Sequence, residues 1–264
     1  MSPSWRETLS VVIGAHEVRV VRCARGFRPQ ETARAEVTFA ARSQPEALDA
    51  LARALAAVPG SAAPADVVVS DEWVRFALLN DTAALRGLDE YKAAAAHTLE
   101  RVYGEAARDW RVTFGAVGKG TLLVAGMDLA LFDAIGAVLA AGGAELSTMT
   151  PLFALALNHC RDELQQPAWF VAAETGRAVL CFTDGGALRV LRSHRIDADL
   201  AAELPVWLEQ SRLLDGVADE GAHVVVASSG ARAVDPQRLP FAVRQVDLNF
   251  AAAAFAAPAL AAGI

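Results

Sequence analysis

The sequence predicts an α/β protein built as two like lobes with a small α+β subdomain inserted between them. Three observations carry this reading. A strand-strand-strand-helix-strand order occurs near the start of the chain and again toward its end. Between the two lies an α-β-β-α-β run with tight turns, an order unlike either. The chain has 264 residues, 54% hydrophobic and 21% charged, enough for a substantial core and too apolar for disorder.

The elements follow in order. Ser10–Ile13 and Glu17–Cys23 are strands flanking a turn at Gly14, and Ala33–Ala40 alternates as a third. Pro45–Ala57 is an amphipathic helix with Leu48, Leu51 and Leu55 on one face, ended by Val58-Pro59-Gly60. Asp66–Ser70 is a short apolar run of the buried, parallel type, and Trp73–Leu79 is a further strand. Leu88–Tyr103 reads as a helix stopped by Gly104. Trp110–Phe114 and Thr121–Ala125 form a hairpin across Gly115–Gly120, and Asp128 opens a helix to Ala141. Ala144–Met149 is short and extended. Thr150 then caps a helix with Pro151 at its first position, running to about Leu164. Trp169–Ala173, Ala178–Phe182 and Leu188–His194 make a meander, turning at Thr175-Gly176 and at Asp184-Gly185-Gly186. Asp199–Leu214 is a helix kinked or split by Pro205. His223–Ala227 is a buried-type strand, and Ala242–Val246 is one more. The lobes fall at 1–81 with 148–166 and at 167–264, and the insert at 82–147.

Several function classes drop out on composition. A formal net charge of -7 argues against a nucleic-acid partner. The densest basic cluster, Arg189, Arg192 and Arg195 around His194, reads as one face of a strand and its turn. Cys23, Cys160 and Cys181 lie in apolar segments without a paired spacing, as reduced core cysteines do. The N-terminal MSPSWRETLS has no apolar signal core. No uncharged run reaches the ~18–20 residues of a spanning helix, and the apolar tail Phe250–Ile264 is too short and contains Pro258. These features point to a cytoplasmic protein without direct membrane insertion. No zinc-protease, serine-hydrolase or Walker-type phosphate motif occurs. His16-Glu17 reads as an exposed turn with side chains on opposite faces. His159 and Cys160 are helix neighbours about 100° apart and cannot act as a nucleophile pair. His97 reads as part of a solvated helix face.

One motif is half present. Leu9 to Cys23 reads LSVVIGAHEVRVVRC, an apolar strand, a turn at Gly14 and a strand carrying Arg19. It resembles the first phosphate-binding hairpin of actin-like ATPases, where an aliphatic-x-Asp-aliphatic-Gly run precedes a strand with a basic residue. Val12 stands where that family places its metal-organising Asp. Two βββαβ lobes are also the plan of the actin-like ATPase (RNase H-like) fold. More narrowly, the ordered segments VVIGAHEVRVV, LERVYGEAARDWRV (Leu99–Val112) and Leu122–Asn158 resemble the actin-like assembly proteins of type IV pili and type II secretion, PilM and the cytoplasmic domain of GspL. The resemblance covers most of residues 8 to 230.

The resemblance implies what each departure means. The second phosphate turn would be AETGRAVLCF, with Glu174, Thr175 and Gly176 where the family has Asp-aliphatic-Gly. The adenosine loop would be HVVVASSGARA, offering Ser228, Ser229 and Gly230 where the family has a Gly-Gly pair. Without the Asp and the close-approach glycines, a Mg²⁺-nucleotide loses its main contacts. Val12, Gly14, Arg19, Glu174, Thr175, Gly176, Ser228, Ser229 and Gly230 thus form a degenerate nucleotide site, and no cofactor is expected. PilM holds a short N-terminal peptide of PilN in a groove between its first lobe and inserted subdomain. A comparable groove here would involve Trp73, Arg75, Leu123 and Met127. The resemblance therefore implies a non-catalytic cytoplasmic scaffold at the inner membrane, anchored through a PilN-like partner, with contacts to the assembly ATPase and to a second copy as further expectations. The apolar tail after Val246 is a candidate docking segment. The alternative is an active ATPase or sugar-kinase relative that binds ATP and Mg²⁺ through Glu174 and Asp184.

Overall fold

In the computed structural model, the first two strands, β1 (Glu7–Ile13) and β2 (Glu17–Ala24), form the antiparallel hairpin that two strands flanking the Gly14 turn predict. The structure describes residues 7–24, 30–39, 43–197, 199–217, 219, 221–229 and 242–248. They belong to two compact units, one from Met1–Val74 and Met127–Leu152, the other from Arg75–Gly126 and Phe153–Asn249.

In the first unit, β3 (Gln30–Thr38) pairs antiparallel with β2. Strand β4 (Ala63–Val69) runs parallel to β1, and β8 (Ala144–Pro151) runs parallel to β4. The sheet order is β3-β2-β1-β4-β8. Helix α1 (Gln44–Ala56) begins where the Ser43 hydroxyl accepts the Glu46 N–H at 3.4 Å, and it buries Ala47, Ala50, Leu51, Ala54 and Leu55. Helix α3 (Leu129–Ala141) is capped by Asp128, whose carboxylate accepts the N–H groups of Ala130 at 2.8 Å and Leu131 at 3.3 Å.

The second unit repeats the sheet plan. Strands β9 (Ala168–Glu174), β10 (Arg177–Asp184) and β11 (Ala187–Arg195) form an antiparallel meander. Strand β12 (His223–Ser229) runs parallel to β9, and β13 (Val243–Asp247) runs parallel to β12. The order β11-β10-β9-β12-β13 matches the first sheet strand for strand, in position and direction. Helix α5 (Leu200–Asp215) covers one face, packing Leu204, Trp207 and Leu208 against Trp169, Val171, Leu180 and Val226. A separate three-stranded sheet, β5 (Val74–Leu79), β7 (Leu122–Asp128) and β6 (Trp110–Ala116), has β7 in the middle. Helix α2 (Gly87–Tyr103) packs on it through Ala95 and Leu99. Helix α4 (Leu152–His159) carries Phe153, whose ring lies 5.3 Å from Phe76 on β5 and 6.0 Å from Phe170 on β9.

The structure corrects three expectations. Thr150 and Pro151 do not start a helix; they finish β8, with Val68 opposite Thr150 and Val69 opposite Pro151. Strand β8 is an edge, where proline's missing N–H is tolerated, and β-branched Thr150 suits the strand. Helix α4 therefore starts at Leu152 and ends at His159, short of Leu164. Helix α5 is not split at Pro205: buried Leu204, Trp207 and Leu208 on either side hold it to the sheet as one helix. The basic cluster on β11 does not share a face, since alternation sends Arg192 and Arg195 to opposite sides. Arg192 pairs with Asp215 of α5 at 2.6 Å, and the His194 ring stacks on Trp207.

Candidate functional site: two hairpins and a sheet edge

The first hairpin turns on three residues, Gly14, Ala15 and His16, closed by the Gly14 N–H donating to the Glu17 carbonyl at 2.8 Å. Val12 is half-buried on β1, with Arg19 of β2 as its antiparallel partner and Val68 of β4 on its other side. Arg19 is already engaged. Its Nε donates to Glu36 at 3.1 Å and its Nη2 to Glu17 at 3.3 Å. Arg34 also donates to Glu36 at 3.1 Å. That hydrogen bond, helped by Arg19, holds the Glu36 carboxyl below its ordinary range. The strand pairing therefore turns Arg19 along the sheet toward β3, and two carboxylates already neutralise it.

The second hairpin is tighter. Thr175 and Gly176 alone join β9 to β10, with Glu174 opposite Arg177. Gly176 has φ +77, a left-handed conformation open to glycine. Its carbonyl accepts the Ile196 N–H at 3.1 Å. Glu174 is only 6% exposed. Parallel pairing places Ser229 beside Glu174, and Ser228 beside Ala173. The structure thus brings together two sequence candidates that lie 55 positions apart, at the C-terminal ends of adjacent parallel strands. Ligands of open α/β sheets bind at such strand ends. Gly230 lies outside the described residues, as do Ala40 and the tail Phe250–Ile264.

The alternative magnesium pair is taken apart. Glu174 faces Arg177 at the start of β10, and Asp184 ends the same strand seven residues on. At about 3.3 Å per residue this separates them by ~23 Å, far beyond the span of two ligands on one ion. Among the described residues, no group of three or more His, Cys, Asp or Glu side chains gathers to hold a metal ion.

The four partner-binding candidates sit at or next to β5 and β7, neighbours in the three-stranded sheet. Trp73 directly precedes β5 and lines a small apolar cavity with Ile13, Ala47, Leu48, Leu131 and Ile135. Its indole N–H is buried with no hydrogen-bond partner among the described residues. Arg75 is half-buried on β5. Leu123 and Met127 on β7 are 4% and 6% exposed. Sequence reasoning passed over Tyr103, whose hydroxyl donates to the Phe76 carbonyl at 2.8 Å. Burial pushes its pKa up, against the opposing pull of Arg75 and Arg177. That pull places two arginines from distant segments near one phenol, which no local pattern announces.

No family model matches the sequence, and no curated protein does. Solved structures do. The cytoplasmic domain of EpsL, an inner-membrane component of the type II secretion system of Vibrio cholerae, is similar at 12% identity and TM-score 0.59, with 95% of each chain covered. A PilM-PilN type IV pilus biogenesis complex matches at 14% identity and TM-score 0.64, covering 93% of this chain and 89% of the other. A Bacteroides thetaiotaomicron protein described as having an actin-like ATPase fold and unknown function matches at 11% identity and TM-score 0.64, with 95% of each covered. Two sheets with the same strand order and directions and these likenesses agree: the chain has the actin-like ATPase fold.

Proposed function

We propose that this chain is a non-catalytic scaffold of a type IV pilus or type II secretion assembly platform, which acts on the cytoplasmic face by binding an inner-membrane partner. The observation that carries this reading is the first hairpin. By the resemblance, Val12 stands where actin-like ATPases carry their metal-organising Asp, and its cross-strand neighbour Arg19 is tied to Glu17 and Glu36. An actin-like fold with that hairpin keeps its shape for binding and gives up the ligands that phosphate and Mg²⁺ need. The likeness to the EpsL cytoplasmic domain and to PilM supports the choice of machine. Among the described residues no helix is long and apolar enough to cross a bilayer, and the partner proposed is a PilN-like protein of the inner membrane. The region around Trp73 and Arg75 is where a partner segment is sought first, with the assembly ATPase as a second partner.

The test is binding of the purified chain to cytoplasmic segments of inner-membrane pilus or secretion proteins from the same genome. Saturable binding to one of them, unchanged by added ATP, is expected. Failure to bind any of them overturns the scaffold reading. The second reading, an active Mg²⁺-dependent ATPase, draws on buried Glu174 beside Ser229 at the strand ends. It requires Glu174 to act without Asp184.

A further inference from the structure

We draw no further inference here: the strongest candidate, the outward apolar face of helix α5 at Val206, Leu213 and Leu214, is exposed, and nothing in the structure shows what covers it.

Discussion

Phe153 gives the sharpest test of how the second unit is held together. Its ring is fully buried at the start of α4, 5.3 Å from Phe76 and 6.0 Å from Phe170. It therefore joins the three-stranded sheet to the five-stranded sheet through one side chain. Phe153→Ala removes a buried aromatic ring and leaves a cavity, a loss of about 3–5 kcal/mol in protein cores. The two ring pairs, each worth ~0.5–1.5 kcal/mol beyond area, place it toward the upper part of that range. With a urea m-value of about 3 kcal/mol/M, the midpoint falls by ~1.3 M. Phe153→Leu keeps most of the volume and should cost about 1–1.5 kcal/mol. The assay is urea unfolding followed by far-ultraviolet circular dichroism and by tryptophan fluorescence. A midpoint shift for Phe153→Ala below ~0.3 M, under 1 kcal/mol at that m-value, would refute the packing argument.

Other outcomes follow from the same structure. The His194 ring lies 4.3 Å from Trp207 at 12°, and burial, then Arg192, depresses its pKa below 6.5 against the opposing pull of Glu203. A histidine depressed in the folded state contributes stability that is present above the unfolded pKa of about 6.5 and lost as pH falls through the folded value. Wild type should therefore lose more melting temperature between neutral and mildly acidic pH than His194→Phe; equal losses contradict this. Burial holds the Cys160 thiol up at about 12 and pushes Cys181 higher still, and it raises Cys23 with help from Glu31. All three cysteines should resist a thiol reagent at mildly alkaline pH until the protein is unfolded, and a fast-reacting native thiol would be inconsistent with that burial. Gly118 has φ +149, and a Cβ there would meet the Ala187 Cβ at 2.6 Å. Gly118→Ala should cost roughly 1–3 kcal/mol. Gly120→Ala, with open space around it, should cost only the lesser backbone penalty. Equal melting temperatures for the two variants would remove the close approach from the account.

Local patterns made most of the fold legible. Apolar runs about the Gly14 turn marked β1 and β2, alternation marked β3, turn residues marked the meander, Asp128 and Gly104 marked helix ends, and the repeated strand order marked the duplication. The sequence misled where two local rules compete: Thr150-Pro151 has the form of a helix start, but its place on a sheet edge makes it the end of β8. Pro205 has the form of a break, but the core on both sides overrides it. At the candidate site, Val12 was readable as a departure because it stands in a motif. Its consequence for Arg19 was not, since Glu36 meets Arg19 only through the β2–β3 pairing, 17 residues on. Nor was the meeting of Glu174 and Ser229, which needs the parallel pairing of β9 and β12. Leu123 and Met127 lie in a strand buried on both faces, where alternation carries no signal of burial.

The proposal of a scaffold that keeps the actin-like fold without binding nucleotide has a direct test. Calorimetric titration of the purified chain with ATP, with and without Mg²⁺, tests it directly. The account predicts no binding heat and no shift in melting temperature under either condition. Magnesium-dependent binding at micromolar affinity, abolished by Glu174→Gln, would contradict it and make the second hairpin a working phosphate site.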